Sequence, residues 1–228
     1  MPSAFIEEIL QFFTYYNGIF FLQAGVRTLG LSVIGFMTGF VVGFFLAIVR
    51  ITRGPLFLPA HLFSILYVEV FRRIPFLVTL MITFFFFQAF KINISVFMVA
   101  MVTVCLIAAA FTAEIVRAGI ESVHIAQWEA AEAMNFTLYQ KLRMVVIPQA
   151  WKVILPPAFS FFILFIKDTA LASQIGVIEL TYVGKVLNNK GYSPMLVFGM
   201  VLIMYFIISY PLARFGVWME KKLVVSKH

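Results

Sequence analysis

The chain has 228 residues, of which 63% are hydrophobic and 12% are charged, whereas a soluble domain has roughly 45–50% apolar and about 25% charged residues. A soluble fold of this length leaves most residues near water and could not bury so many apolar side chains, 28 of which are Phe. This composition excludes a soluble protein and predicts a membrane protein.

The formal net charge of +7 comes from basic residues scattered between apolar runs, a distribution that argues against nucleic-acid binding. The one cysteine, Cys105, lies within an apolar run, which excludes a disulfide framework and a Cys-rich metal site.

The first segment, residues 1–16, carries Glu7 and Glu8 where a cleavable signal peptide has a basic region. Its apolar residues follow helical spacing and are Phe5, Ile9, Phe12 and Phe13. We predict a short amphipathic helix lying in the membrane interface. A disordered leader is the alternative, because chain termini tend to fray.

Five segments are mainly apolar over the about 20 residues that a membrane-spanning helix needs. They are residues 29–49, 73–90, 94–116, 153–173 and 195–218. The run 56–90 would reach roughly 52 Å as one helix, so we divide it into an interfacial elbow, 56–70, and a span that begins near Arg73 with Pro75 in its first turn. The predicted fold class is an all-α integral membrane protein with five transmembrane helices.

The basic residues near the span ends predict the orientation, because cytoplasmic loops carry an excess of Lys and Arg. The more basic set of ends includes Arg50, Arg117 and Lys152, and the other set includes Arg27 and Lys190. We predict that the more basic set is cytoplasmic, with the N-terminus outside and the C-terminus inside. The longest polar stretch, 117–152, is then a cytoplasmic loop.

The first span contains two overlapping GxxxG patterns, formed by Gly35, Gly39 and Gly43. Small residues at this spacing let another helix backbone approach closely. The partner helix could belong to the same subunit or to a second one.

The polar loop has the local signals of two short helices. Residues 129–134 are strong helix formers and stop at Asn135, which accepts the left-handed conformation of a helix end. Residues 137–140 match a capping box, so a second helix should begin there and end before Pro148. We expect Ala130 and Ala131 to be exposed beside Glu129, as a docking surface for a partner; an ordinary amphipathic loop is the alternative reading.

At these residues the chain resembles a known family. Glu129-Ala130-Ala131, a turn residue and Ile147-Pro148 resemble the EAA loop of ABC-importer permeases. Four stretches in order are similar to the polar amino acid permease family of histidine, glutamine, glutamate and arginine type: Tyr67-Val68-Glu69-Val70-Phe71-Arg72 with Pro75; Ala113-Glu114-Ile115-Val116-Arg117-Ala118-Gly119-Ile120; Gln127-Trp128-Glu129-Ala130-Ala131; and Lys167-Asp168-Thr169-Ala170-Leu171-Ala172-Ser173. Two positions depart from the family pattern: Asn135 replaces its Gly, and Ile147 replaces the Leu of its Leu-Pro pair.

The resemblance implies a single transmembrane permease domain over 1–228, with the permease core at 28–218 and a coupling loop at 117–152. It implies a bacterial inner-membrane protein that imports polar amino acids, pairs with an identical or paralogous permease subunit and lies in membrane lipid. Two cytoplasmic ABC ATPases would grip the EAA loops, and a periplasmic or lipid-anchored protein would bind the amino acid. ATP and magnesium would be bound by the partner ATPase, so this chain itself would need no cofactor and would not be an enzyme.

The same resemblance suggests two groups of functional residues. The candidates for ATPase coupling are Gly119, Glu129, Ala130, Ala131, Asn135, Ile147 and Pro148. The candidates for a gate or subunit interface are Glu69, Arg72, Arg73, Pro75, Glu114 and Arg117.

Other function classes fit the sequence less well. The Gly184-Lys185 pair is followed by Val186, so the chain lacks a phosphate-binding loop for ATP. A membrane enzyme would need paired ligands or a nucleophile with a base, but the three histidines, His61, His124 and His228, are far apart in sequence. A proton- or sodium-coupled carrier is the serious alternative, because charges inside an apolar run are often functional. Five spans, however, do not divide into inverted halves.

The fourth span is the predicted lining of the translocation pathway. Counted from residue 153, Ser160 and Phe161 lie about 10–12 Å deep, and Lys167-Asp168 about 21–23 Å deep. Helical spacing places Phe161, Leu164, Phe165 and Asp168 on one face. The candidate pathway residues are Ser160, Phe161, Leu164, Lys167, Asp168, Thr169 and Ser173.

Two features of this span leave its role open. Lys167-Asp168 could instead be a self-neutralising pair near the outer interface, because a Lys side chain can reach the headgroups. Pro156 and Pro157 could kink the helix near its start. Relatives that resemble cationic amino acid permeases carry Asn-Glu where this chain has Ser160-Phe161, so the subunit lacks an evident counter-charge for a cationic side chain there.

Overall fold

The computed structural model describes residues 2–52 and 54–224, and the side chains of 7–52 and 54–223. Regular structure in these residues is helical throughout, as predicted. The α-helices, numbered α1 to α10 in chain order, are Pro2–Phe12, Tyr15–Ile51, Leu58–Arg73, Phe76–Ala89, Val96–Glu121, Ile125–Ala133, Leu138–Gln140, Ile147–Asp168, Leu180–Asn189 and Pro194–Val224. Short 3-10 turns cover Pro55–Phe57 and Thr169–Ile175, and a π-turn covers Lys141–Val146.

Five helical stretches in the described residues are long and apolar enough to cross a membrane, which confirms the predicted number. They are Tyr15–Ile51, Pro55–Arg73, Val96–Glu121, Leu138–Ile175 and Pro194–Leu223. Four of them contain most or all of a predicted span and extend beyond it.

The predicted second span, 73–90, contains the apolar helix α4, which is shorter than predicted. The helix breaks at Ile74, which is extended with φ −90° and ψ 132°, because the residue before a proline is disfavoured in the helical region. Pro75 is therefore the N-cap residue of α4, not a first-turn residue, and α4 alone has 14 residues. Residues 56–70, expected to form an interfacial elbow, belong mostly to the regular helix α3, which meets the length of a span together with the turn before it.

By the proximity of its Cα atoms, the chain forms two compact units. The first unit comprises residues 2–35, 75–104 and 163–213, and the second comprises 36–52, 54–74, 105–162 and 214–224.

The core of the first unit is formed around α9, a helix that the sequence analysis does not predict. Its buried face includes Leu180, Val183 and Leu187, which pack in one cluster with Phe12 and Phe21. Glu179 caps the helix although its side chain is fully buried: it accepts hydrogen bonds from the N–H groups of Thr181 and Tyr182 at 2.9 and 2.8 Å, and from the Tyr205 hydroxyl at 2.8 Å. Burial raises the pKa of the Glu179 carboxyl above its usual value.

The predicted N-terminal helix is confirmed as α1. Its apolar residue Phe12 packs in the core of the first unit. Phe12 is 2% exposed and meets the ring of Tyr192 edge-on at 5.4 Å, whereas Phe13 is exposed. Glu8 accepts a hydrogen bond from the N–H of Ser193. The side chain of Phe5 lies outside the described residues, and the interfacial location stays a prediction.

The glycines of the first span pack against α5 within the same subunit. A Cβ at Gly43 would lie 2.1 Å from Oγ1 of Thr112 and 2.5 Å from the carbonyl oxygen of Ala109; one at Gly39 would lie 2.5 Å from Cβ of Ala108. Such distances are shorter than any side chain tolerates without movement. The close approach of α2 and α5 therefore requires glycine.

The sequence predicts that the second loop helix ends before Pro148, but in the structure the chain continues as a helix through this proline. The chain stays helical from Leu138 to Asp168, and α8 continues through Pro148, Pro156 and Pro157. The π-turn Lys141–Val146 changes the hydrogen-bond register directly before Pro148, where a regular helix would need the N–H that proline lacks. The helix thus continues past a residue that normally ends one.

Candidate functional site

The predicted coupling loop, 117–152, contains α6, whose two ends are both capped. The His124 side chain accepts a hydrogen bond from the N–H of Ala126 at 3.2 Å. At the other end Asn135 has φ 57°; its N–H donates to the carbonyl of Glu132, and the N–H of Phe136 donates to the carbonyl of Ala131. These two bonds form a Schellman motif, so the predicted left-handed helix end is confirmed.

The predicted capping box of α7 is also confirmed. Thr137 accepts a hydrogen bond from the N–H of Gln140, and the Gln140 side chain accepts one from the N–H of Thr137 at 2.8 Å. The Lys141 ammonium lies 3.1 Å from the Glu132 carboxylate and ties the π-turn to α6. Local hydrogen bonds therefore hold this segment in one shape.

The expected exposure of the small residues is half right. Ala130 and Glu129 are exposed, but Ala131 is 2% exposed and buried. α6 packs against the π-turn, and helical spacing puts Ala131 on the same inner face as Trp128, which packs on the buried cluster of the second unit. The surface open to a partner is thus formed by Glu129 and Ala130 without Ala131.

Large apolar side chains add to this surface, although the sequence analysis did not single them out. Ile125 and Met134 are 63% and 66% exposed; by i, i+4 spacing Ile125 shares a helix face with Glu129, and Met134 follows Ala130. Tyr139 is 66% exposed, and its hydroxyl accepts a hydrogen bond from Arg143 at 2.9 Å. Exposed apolar side chains next to a charge, on a segment fixed by capping bonds, are typical of a protein-binding surface.

Three further coupling candidates lie away from Glu129. Gly119 is buried in α5, where a Cβ would lie 2.3 Å from Cγ1 of Ile154, so it permits close packing of α5 on α8. Ile147 and Pro148 line an apolar groove of about 580 Å³ with residues of α2 and with Trp151.

Glu114 is the centre of a charge cluster in the second unit. Its Oε2 accepts a hydrogen bond from Nη1 of Arg50 at 2.8 Å and lies 3.5 Å from Nη1 of Arg72. Its Oε1 accepts a hydrogen bond from Arg117, which also pairs with Glu121. The cluster joins α2, α3 and α5 through one carboxylate.

This cluster contains three of the predicted gate residues, and it adds one that the sequence analysis missed. Arg50 lies in the last turn of the long apolar helix α2. The residues around it in sequence do not indicate that it pairs with Glu114, which is 64 positions away. Glu69 and Arg73 instead form an exposed i, i+4 pair on α3, with Nε and Nη2 of Arg73 at 2.8 and 2.6 Å from Glu69 Oε2. These two candidates therefore pair with each other and not with Glu114.

Phe161, the central residue of the predicted pathway face, is stacked on Phe111 of α5. The ring centroids are 4.4 Å apart and the planes differ by 22°. The guanidinium carbon of Arg72 lies 5.7 Å from the centroid of Phe111. Phe161 is thus linked to the Glu114 cluster through one aromatic ring.

The other predicted pathway residues do not share one environment. Leu164 is 51% exposed and Ser160 is exposed, whereas Phe165 is buried and packs edge-on against Phe76. Lys167 is exposed, and Asp168, the last residue of α8, is half-buried.

Thr169 and Ser173 lie beyond the end of α8, in the 3-10 turn, so α-helical spacing does not place them on the pathway face. Both are buried. Thr169 donates to the carbonyl of Ile166, and Ser173 accepts a hydrogen bond from Lys185 at 3.0 Å.

In the part of the chain that the structure describes, no three His, Cys, Asp or Glu side chains gather as a metal site would require. His228 lies outside those residues.

Comparison with known proteins decides the family. Residues 39–225 match the family described as the binding-protein-dependent transport system inner membrane component. The chain belongs to this family. The permease is therefore a transport subunit of a bacterial ABC system, a multi-pass inner-membrane protein and not itself an enzyme, and the proton- or sodium-coupled carrier is not favoured.

Individual relatives agree with the family match. The permease is 34% identical over 205 residues to the L-cystine transport system permease protein TcyB of Bacillus subtilis (strain 168), covering 89% of this chain and 86% of that protein. It is 29% identical over 210 residues to the probable glutamine ABC transporter permease protein GlnM of the same organism, covering 92% and 96%. A chain in the crystal structure of an amino acid ABC transporter with histidines superposes with a TM-score of 0.83 at 29% identity, over 90% of this chain and 94% of that one. The resemblance drawn from the sequence motifs is confirmed.

Proposed function

We propose that this permease imports a polar amino acid and couples that transport to ATP hydrolysis through the loop that carries Glu129. Relatives named for cystine and glutamine transport, and a structural neighbour named as an amino acid transporter, support the substrate class. The observation that carries the coupling role is the Schellman-capped helix α6, which presents exposed Glu129 and Ala130 among exposed apolar side chains.

The partner arrangement follows from this proposal. A pair of ABC ATPases binds ATP and magnesium and contacts the coupling loop of each permease subunit. A second permease chain, identical or paralogous, completes the translocation pathway, and a separate binding protein delivers the amino acid. The permease itself holds neither nucleotide nor metal.

The proposed orientation puts the coupling loop and the C-terminus in the cytoplasm and the N-terminus outside. The charge distribution supports it, since Arg117, Lys141, Arg143 and Lys152 all belong to the loop segment 117–152. An ATPase can reach the loop only from the cytoplasm, so the orientation and the coupling role depend on each other.

The proposal is tested by isolating the permease from its native membrane under mild conditions. We expect a soluble ATPase to co-purify with it at one copy per permease subunit. A permease that is isolated as a complete, active transporter without any ATPase would overturn the proposal.

A further inference from the structure

Arg72 differs from the other arginines around Glu114 in how it is held. Arg50 and Arg117 both donate hydrogen bonds to the carboxylate, and their side chains are 12% and 28% exposed. Nη1 of Arg72 lies 3.5 Å from the same carboxylate, farther away than the hydrogen-bonded nitrogens of Arg50 and Arg117. The side chain of Arg72 is 37% exposed. Glu114 already accepts a hydrogen bond on each oxygen, so Arg72 is the arginine whose N–H groups are most available to a further acceptor.

The charges around Arg72 leave one positive charge without a counterpart. Arg50, Arg72 and Arg117 face two carboxylates, Glu114 and Glu121. The nearby Glu69 is neutralised by Arg73. A carboxylate at Arg72 would balance this charge locally, whereas an ammonium would be repelled and would have to lie on the side away from the arginines.

An aromatic pair orients the Arg72 guanidinium. Its carbon lies 5.7 Å from the centroid of Phe111, and Phe161 stacks on that ring at 4.4 Å. A guanidinium packed against an aromatic ring keeps the N–H groups at its edge free for planar acceptors such as a carboxylate. The two rings provide an apolar surface beside the charge.

The cluster also contains a buried donor without a hydrogen-bond partner in the described residues, Nε of Arg117. Buried N–H groups are nearly always paired with protein or another acceptor. A water molecule or a substrate group at this point of the cluster would satisfy this donor.

We propose that Arg72 binds the carboxylate of the amino acid during its passage through the permease, with the Phe111–Phe161 pair contacting the aliphatic part. This inference rests on the proposed function, because it requires an amino acid as the transported substrate. A carboxylate matches the planar, bidentate geometry of a guanidinium. Every amino acid carries an α-carboxylate whatever its side chain, so Arg72 selects for the amino acid class and not for one member of it.

The test measures binding to the permease without its binding protein, which would otherwise impose its own selectivity. The permease–ATPase complex is placed in lipid nanodiscs and titrated with radiolabelled polar L-amino acids and with their α-amides, which lack the carboxylate charge. We expect the complex to bind the amino acids and to bind the amides at least about tenfold more weakly, the size of effect expected for a charge-assisted hydrogen bond. Arg72→Gln should abolish this difference by weakening binding of the amino acid.

Arg27→Gln is the control, since it removes an arginine charge from an exposed residue of α2 that lies outside the cluster. It should leave both affinities within about twofold of the unaltered complex. Arg72→Lys should recover part of the discrimination, because it keeps the charge but loses the planar geometry. Phe111→Leu should weaken binding while the amides stay poor ligands, since it removes the ring that orients Arg72. Each variant is used only if it purifies with the ATPase in normal yield.

Two results would overturn the inference without affecting the proposed function. One is ATP-dependent amino acid uptake by the full transporter together with unchanged binding in Arg72→Gln. The other is normal amino acid affinity in Arg72→Gln, together with an ATPase activity that rises with phosphatidylglycerol in the nanodisc for the unaltered complex but not for the variant, because Arg72 would then bind a lipid phosphate. Absence of amino acid uptake by the unaltered full transporter would instead contradict the proposed function.

Discussion

The ring of Phe161 in α8 stacks on the ring of Phe111 in α5, with centroids 4.4 Å apart. Phe36 of α2 also contacts Phe161, with centroids 6.3 Å apart. Phe161, the residue that we expect to face the translocation pathway, is half-buried. One face of its ring packs on Phe111.

Phe161→Glu should change selectivity more than folding. A carboxylate facing lipid near the centre of a span costs about 3 kcal/mol and lowers the yield of folded protein, whereas one in a wet pathway costs much less. We predict normal expression, reduced uptake of neutral and acidic amino acids, and a relative gain for cationic ones. Expression and uptake are measured together, with Phe161→Leu as the control that loses the ring but adds no charge. Loss of folded protein, or an unaltered uptake profile at normal expression, would show that Phe161 only packs.

Glu129→Lys should insert and fold normally, because the side chain is exposed. Truncating one partner of a charge pair that is buried in a protein interface typically costs about 2–5 kcal/mol, and reversing a charge that the ATPase buries should cost no less. We predict much weaker association with the ATPase, measured by co-purification and by ATPase activity of the complex. Glu7→Lys makes the same charge change on an exposed residue of α1 and should have no such effect. Equal ATPase recovery for both variants would remove Glu129 from the coupling surface.

Asn135→Gly should be tolerated and Asn135→Val should not. Asn135 has φ 57°, a conformation that costs an ordinary residue roughly 1–2 kcal/mol and a β-branched residue at least as much. We expect Asn135→Val to lower the thermal stability of the permease and to weaken ATPase binding. Thermal unfolding of the permease is measured with and without the ATPase, and the stabilisation that the ATPase gives reports its binding. If the Val and Gly variants behaved alike, the loop would not depend on this helix end.

Gly43→Ala should destabilise the permease by about 3 kcal/mol or more, at the upper end of overpacking effects. The added Cβ would meet Oγ1 of Thr112 at 2.1 Å and a backbone oxygen at 2.5 Å, and backbone atoms cannot rotate away. Gly30→Ala is the control on the same helix, because no atom lies within 4 Å of its Cβ position and alanine favours a helix. Thermal unfolding in detergent measures both; equal stability would mean that α2 and α5 are not in close contact.

Features set by local chemistry were predictable from the sequence. The end of α6 at Asn135 and the capping box of Thr137 and Gln140 depend on hydrogen bonds within a few residues. Most membrane spans follow from the length of their apolar runs. Both kinds of feature are encoded by neighbouring residues.

Features set by contacts distant in sequence were not predictable. Ala131 is buried because α6 packs against the π-turn, which the sequence does not indicate. Arg50 reaches Glu114 across 64 positions. α9 is short and amphipathic, and it is stabilised by Glu179 and Tyr205 from outside the helix. Helices this short are marginal without such tertiary contacts.

The energy source for uptake tests the central claim most directly. The permease is reconstituted in proteoliposomes with its ATPase and its binding protein, and uptake of radiolabelled polar L-amino acids is measured with ATP or with a proton or sodium gradient. We predict uptake that requires ATP, persists when a protonophore is present and the buffer is free of sodium, and is lost in Glu129→Lys. Uptake driven by either gradient without ATP would contradict this account.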